Sequence, residues 1–495
     1  MGFCMELNDG SLHIEDNITD AVWNDVKSLL SGLDDIALIL KDNTILTDVL
    51  DIPDAVSSIQ FEKCKFAAPT ELSGLKNGRS VIFKNCKQDL LLGNVKLRGV
   101  VCNYFEISQE GRRVSPDLLS PDIEECIFNS CVCVGKMPAV FKQVSFIDKI
   151  RFTKNKKTPK IATEITNNNE EEEHEHLFFD DCMFQDHTEI AINIHAKISI
   201  HLENCRVIST DERFHSSMTF PANSEVIDIK IIKSNLSKLR LSLFISSIEN
   251  LIINDSSVGS LQLATIENDE KNAIYNVVIT ESIVNELSLR YRDIVHELVL
   301  TNTVFNTAPQ MFGAKISEGS QFPKRKYFLS RKGEHDASCY RTLRFMMESQ
   351  RNRDLEGMFF SLEQESLLNT KNKIHKLFSI SNMYYLLSDY GTNYRRPLII
   401  FLLSIPLFTI IYSLIRSHTV AVDLPPDWKN ITNSLIFTLK QTFQPFDNLK
   451  NTQDIQKGDL IKTVFLTCVA IANTLFSFLL LTLSGLAIRW RFKRG

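Results

Sequence analysis

Residues 229–236 read IKIIKSNL, residues 251–258 LIINDSSV, residues 277–284 VVITESIV and residues 298–305 LVLTNTVF. Each copy is an apolar, any, apolar run, then two mostly polar residues, then a small hydroxyl residue: Ser234, Ser256, Ser282 or Thr303. An apolar residue returns shortly after. Earlier copies carry cysteine in the same place: IQFEKCKF at 59–66, VIFKNCKQ at 81–88, CIFNSCVC at 126–133, LFFDDCMF at 177–184 and IHLENCRV at 200–207. Where neighbouring copies are clear, the small residues recur every 21 to 29 residues, and the gap of 45 between Cys86 and Cys131 predicts a disguised copy between them.

Alternation of apolar and polar residues turns one face of a short strand inward, and a small residue after the polar pair suits a corner. One such unit cannot bury its own apolar face. Stacked units bury a continuous core, which is the logic of a solenoid. The expected fold is therefore mainly β, an irregular parallel β-helix solenoid over Ile59 to Phe305; a β-sandwich or a series of α/β units are the competing readings of the same spacing. The cysteines then serve as small apolar residues in the stack.

Outward from this region, residues 1–58 are expected to form a mixed α/β cap. Thr19 caps a helix bearing Val22, Val26, Leu29 and Leu30, and Ile36–Leu40 reads as a strand. Residues 306–333, punctuated by Pro309, Gly313, Gly319 and Pro323, read as a linker ending in a basic patch from Lys324 to Lys332. Residues 334–393 follow as a helical connector, with Tyr340, Leu343 and Met347 on one helix face and Leu355, Met358, Phe359 and Leu362 on another. Its arginines, Arg341, Arg344, Arg351 and Arg353, are expected on a solvated face.

Residues 394–495 read as a membrane domain. Pro397–Ile415 contains nineteen residues without a charge and Thr463–Ile488 twenty-six. At about 1.5 Å per residue these give helices of about 28 and 39 Å, enough to cross a bilayer, the second with tilt. Arg395 and Arg396 precede the first run, and Arg489, Arg491, Lys493 and Arg494 follow the second, while the connection between them mixes both signs. Positive charge thus marks the cytoplasmic side and places both termini there. The expected location is a membrane crossed more than once.

Between the two runs, residues 431–446 form an amphipathic segment with Ile431, Leu435, Ile436, Leu439, Phe443 and Phe446 along one face. At sixteen residues it is short for a span and suits a re-entrant or interfacial helix. In the second run Thr463, Thr467, Thr474, Ser477 and Ser484 share a helical stripe with Asn473 beside it. Such a stripe either lines water in an oligomer or lets helix backbones approach closely.

Composition removes several classes. The net charge is −5, so no nucleic acid is expected as a partner, and the eleven cysteines lack metal-ligand spacing. The start MGFCMELNDG is not a secretory signal, which favours free thiols in a reducing compartment. Asn167–His176, NNNEEEEHEH, contains metal-donor residue types, but such a run is ordinarily a solvated loop between rungs. No GxGxxG, P-loop, GxSxG or HExxH occurs, so neither an enzyme nor a cofactor is expected.

Taken together, CYRTLRFMMESQRNRDLEGMFFSLEQES at 339–366, YLLSDYGTNYRRPL at 385–398, and the two apolar runs with their tail LAIRWRFKRG resemble a group of bacterial membrane proteins. In that group an N-terminal pentapeptide-repeat or β-helix domain joins a helical connector and a C-terminal two-helix, ion-channel-like membrane segment. The resemblance covers residues 338–495. Over the β region it is architectural, because a strict five-residue period is absent. The span, amphipathic helix, span order joined to a non-catalytic solenoid leads to the expectation of a bacterial inner-membrane protein in which a cytosolic sensor or scaffold controls an oligomeric, channel-like pair of spans. The lipid bilayer, further copies of the chain and a cytosolic protein or ligand on the β-helix are then the partners. A static membrane-tethered interaction module is the alternative. The PFDNLKN stretch after the short helix carries no TVGYG-like run, which argues against potassium selectivity.

Overall fold

The structure, a computed structural model, describes residues 5–8, 11–67, 69–76, 80–88, 95–108, 121–135, 140–153, 174–185, 187–193, 197–208, 216–220, 225–243, 247–266, 272–371, 375–376, 379–416, 428–443 and 460–492. The chain divides into two compact units, Met1–Ser330 and Arg331–Gly495.

The first unit is a parallel β-solenoid. Its strands collect into an 11-stranded and a 17-stranded sheet, with a 3-stranded one near the N-terminus. The repeats stack in the register their sequence implies. Ile231 lies on Ile253, Ile253 on Ile279, and, moving toward the N-terminus, Ile231 lies on Leu202, Leu202 on Phe179 and Phe179 on Phe141. Parallel in-register pairing of this kind excludes the sandwich and α/β readings. Inward strand positions are predominantly apolar. The N-terminal half stacks aromatic rings, with Phe141 5.1 Å from Phe179 and Phe146 5.5 Å from Phe184, and the C-terminal half stacks Ile, Leu and Val.

The corners explain the motif. The residue before each small one adopts left-handed backbone: Lys233 at φ 49°, Asp255 at 48°, Glu281 at 51°, Asn302 at 54°. Side chains other than glycine rarely occupy this region, so the surrounding hydrogen bonds must hold it. The small residue supplies them. Ser256 Oγ lies 2.7 Å from the Asn254 carbonyl and 3.3 Å from the Ile231 carbonyl one turn back, and accepts the Ser234 N–H at 3.1 Å. Ser282 Oγ accepts the Ser256 N–H in turn, and Ser234 Oγ accepts that of Cys205. The hydroxyls therefore form a continuous ladder along one edge. Cysteines occupy the same corners nearer the N-terminus, with Cys182 Sγ 3.3 Å from the Phe141 carbonyl and 3.4 Å from that of Asp180.

Ser256→Ala is expected to destabilise the solenoid by about 1–3 kcal/mol, because it strips the buried Ser234 N–H of this acceptor. Ser256→Cys, a residue other corners already use, should cost less. Urea melts of the two variants followed by far-UV circular dichroism provide the comparison.

Two phases differ from the sequence reading. In the copy at 126–133 the corner is Glu125–Cys126, with Cys126 Sγ 3.2 Å from the Glu124 carbonyl and 3.4 Å from the Leu97 carbonyl. The operative motif is PDIEECIF at 121–128; Cys131 follows a second left-handed residue, Ser130, within strand Ile127–Gly135. The disguised copy in the gap turns at Gly99–Val100, and a further one turns at Gln143–Val144. Valine fills the small position in both, which hides them. The two copies nearest the N-terminus belong to the other sheet: Val56–Glu62 and Ser80–Lys84 pair in the 17-stranded sheet, whereas the copies from 177 onward pair in the 11-stranded one.

Stacking also extends past both ends of the repeat region. Helix α1, Asp20–Leu30, is capped by Thr19 as its sequence implies, and Ile36–Lys41 pairs parallel with Val56–Glu62 as an early rung. Residues 306–328, read as linker, lie on the coil as one more turn, with parallel bridges Ser288–Gln310, Asp293–Lys315, Val299–Gln321 and Phe305–Phe328. They hide in sequence because single bridges replace strands and Met311 and Phe328 alone supply large buried side chains. Gly313 is needed there: at φ 68°, a Cβ would sit 2.5 Å from the Tyr291 ring. Most of Asn167–His176 lies outside the described residues; the strand His174–Asp180 begins at its end.

The second unit is helical. Helices α2, Gly333–Ser349, and α3, Arg353–Leu368, fold back on each other through a turn with Arg351 left-handed and Asn352 capping α3. Tyr340, Leu343, Met347, Phe359 and Leu362 are buried between them. The connector arginines are not simply a solvated face. Arg341 and Arg344 both hold Glu363, at 2.8 and 2.7 Å, and the Glu363 side chain is only 3% exposed. Arg353 pairs with Glu356 and Arg331 with Glu365. Helix α4, Ile380–Ser388, leads through a sharp elbow into α5, Arg395–Arg416; α6, Trp428–Phe443, and α7, Leu460–Phe492, complete the unit.

Candidate functional site

Within α5 and α7, Arg395–Ile415 and Val464–Arg489 are long and apolar enough to cross a membrane. Their packing is inverted relative to a soluble bundle. Leu402, Leu403, Leu407, Ile410 and Leu414 of α5 are exposed, as are Val464, Phe465, Leu475 and Phe478 of α7. Ser404 and Thr409 of α5 and Asn473, Ser477 and Ser484 of α7 are buried.

Helix α6 follows the same rule and reverses the face that amphipathicity in water would bury. Leu435, Ile436, Leu439 and Phe443 point outward, 37–62% exposed. Ser434, Thr438, Gln441 and Thr442 face inward, together with Phe437. Their spacing of four, three and one residues puts them on one side of the helix, against α5 and α7. An apolar cluster of Tyr412, Phe437 and Leu466 closes part of the interior, with the Tyr412 and Phe437 rings 4.9 Å apart and nearly perpendicular.

The polar groups meet inside. Thr409 Oγ1 donates to Thr438 Oγ1 at 3.2 Å, joining α5 to α6, and Thr474 Oγ1 donates to the Gln441 carbonyl at 3.3 Å, joining α6 to α7. Ser477 Oγ donates to Asn473 Oδ1 at 3.3 Å. Within this three-helix region, Ser434 Oγ, Gln441 Nε2, Thr442 Oγ1 and Asn473 Nδ2 are buried and lack a hydrogen-bond partner among the described residues. A buried donor without a partner is costly, typically about 1–3 kcal/mol. All four lie on α6 and α7.

Of the residues singled out from sequence, Asn473, Ser477 and Ser484 are buried in this interior, on the line Leu466, Ala470, Asn473, Ser477, Leu480, Ser484 and Ala487. Thr467 and Thr474 are half-buried at its margin. Thr463 lies in α7, but its side chain and that of Arg491 are not described, and Phe446, Lys493 and Arg494 lie outside the described residues. Arg395 and Arg396 open α5 and Arg489 stands exposed near the end of α7. Sequence reasoning missed Ser404, Thr409, Ser434, Gln441 and Thr442. The signal existed in α6, where hydroxyl and amide residues repeat on the face opposite the leucines.

The described cysteines of the solenoid are small buried side chains of its stack. Cys64, Cys86, Cys102, Cys126, Cys131, Cys133, Cys182 and Cys205 are buried. Desolvation pushes the Cys126 thiol up to about 12 and those of Cys86 and Cys182 beyond that, so these sulfurs stay protonated and unreactive. Among the described residues, no group of histidine, cysteine and carboxylate side chains is arranged to hold a metal. No family model matches the chain, and no similar protein is found among curated sequences or solved structures.

Proposed function

We propose that this chain is a bacterial inner-membrane protein whose cytosolic β-solenoid senses or scaffolds a partner and controls an oligomeric, channel-like membrane segment. The observation that carries this reading is the inverted packing of α5, α6 and α7. Apolar side chains outward and unpaired amides and hydroxyls inward suit a lipid exterior and a hydrated interior. The positive charges at Arg395, Arg396 and Arg489 support an orientation with both ends in the cytoplasm. On this reading the helical connector, whose buried Glu363 is held by Arg341 and Arg344, is the segment that links the solenoid to the first span.

Two spans and a short helix cannot enclose a pore alone, so the reading requires several copies. Purified full-length protein is expected to migrate as an oligomer in detergent and to pass discrete ionic currents in planar bilayers. A strictly monomeric protein, or an oligomer without current, overturns the channel part.

A second reading has its own support. Ser484 Oγ bonds back to the Leu480 carbonyl and Ser477 to Asn473, each within its own helix, as small residues do at a tight helix contact. On that reading the hairpin only anchors an interaction module, and no current is expected.

A further inference from the structure

Helix α4 ends in three successive left-handed residues, Asp389 at φ 51°, Tyr390 at 57° and Gly391 at 80°. This elbow is held rather than loose. Asp389 Oδ1 accepts the Ser361 hydroxyl at 2.7 Å, and the buried Tyr390 ring packs against Phe360, Tyr384 and Tyr385. A cleft of about 630 Å³ opens beside the elbow, bounded by α2, α3, α4 and the end of α7.

Its lining has an unusual charge balance. Arg344 and Glu356 both reach it but are already committed, Arg344 to Glu363 and Glu356 to Arg353. That leaves Glu348 on α2 and Arg489 on α7, both exposed and neither with an ion pair among the described residues. The aromatic face of Tyr384 and the apolar side chain of Leu486 complete the wall used here. Leu486 is 55% exposed and continues the outward apolar surface of α7, so the cleft runs onto the face that lipid would cover.

We propose that this cleft binds a zwitterionic amine–phosphate group, such as the headgroup of an aminophospholipid. The ammonium would sit between the Glu348 carboxylate and the Tyr384 ring, which attracts cations through its π face. The phosphate would meet the Arg489 guanidinium, whose planar fork matches it. Acyl chains would leave along Leu486. An anionic headgroup is a poorer match, because Glu348 repels it and the second arginine is occupied. Bound here, the ligand touches the connector, the elbow and α7 together.

The proposal rests on the membrane reading but is tested without requiring any current. Full-length protein in detergent is titrated calorimetrically with dioctanoyl phosphatidylethanolamine, dioctanoyl phosphatidylglycerol and glycerophosphoethanolamine. Phosphatidylethanolamine is expected to bind at least about tenfold more tightly than phosphatidylglycerol, with Glu348→Gln and Arg489→Gln each weakening it about tenfold, the scale of one charge-assisted contact. Glu348→Lys should invert the preference toward phosphatidylglycerol. Retention of glycerophosphoethanolamine binding would assign a soluble zwitterion as the source, and its loss a lipid; both support the site. Equal binding of the two lipids, or affinity indifferent to all three substitutions, overturns it.

Discussion

Arg292→Met is expected to loosen the C-terminal third of the solenoid, raising amide exchange about a hundredfold across residues 239–243 and 257–263. The arginine is fully buried. Its Nη2 donates to the Leu243 carbonyl at 3.0 Å and its Nε to the Leu263 carbonyl, so one side chain ties together strand ends from two earlier turns. Leu243 ends the strand Asn235–Leu243 and Leu263 directly follows the strand Ser257–Gln262, both in the 17-stranded sheet. Removing the guanidinium leaves buried acceptors short of donors, at about 1–3 kcal/mol each, and two of them give the hundredfold change. Methionine keeps the volume and removes the donors, so packing is largely conserved. Arg292→Lys retains a charge but loses the fork and should fall between. Hydrogen–deuterium exchange with peptide resolution measures the effect locally; unchanged protection in residues 239–263 would show that Arg292 fills space only.

Arg292 also shows what a repeat pattern conceals. In the sequence it stands between RY and DIVHELV with no periodic partner, and nothing marks it as interior. The coil itself was legible because the apolar alternation and the small corner residue recur with the physical period of one turn. Where chemistry at the corner changed, legibility failed. Val100 and Val144 fill the small site without a hydroxyl or thiol, and the doubled pattern at Glu125–Cys126 and Ser130–Cys131 offered two phases within five residues. The turn at 306–328 escaped notice because isolated bridges need no alternating strand.

The C-terminal site was half legible for a related reason. The amphipathicity of α6 was visible, but its direction depends on the solvent. In water Leu435, Ile436, Leu439 and Phe443 would turn inward; here they turn out and Ser434, Thr438, Gln441 and Thr442 turn in. Sequence periodicity reports two faces and is silent on which one meets a neighbour. In α7 the hydroxyl stripe shares Ala470, Ser477 and Ser484 with the buried line but runs through Thr467 and Thr474 at its margin, whereas the buried line passes through Asn473, one residue and about 100° around the helix from Thr474.

Asn473→Leu separates the two readings of that interior. The amide is 1% exposed, its Oδ1 accepts from Ser477 and its Nδ2 lacks a partner among the described residues. Leucine removes an unpaired buried donor, so the variant is expected to be more stable than the parent by about 1 kcal/mol or more. Both readings share that outcome, seen as a higher melting temperature in detergent. They diverge on transport. If Asn473 holds water in a conducting pathway, a leucine there creates an apolar constriction that dewets, and unitary current should fall at least about tenfold while the oligomer persists. Asn473→Ser, which keeps a hydroxyl, should retain a measurable fraction, and Gln441→Leu on the facing helix should repeat the loss, because Thr474 Oγ1 binds the Gln441 backbone and brings the two amide-bearing segments together. A stabilised Asn473→Leu with undiminished current removes Asn473 from any conducting path. The combination of higher thermal stability and lost current is the pattern expected of a polar group kept for transport at the expense of packing.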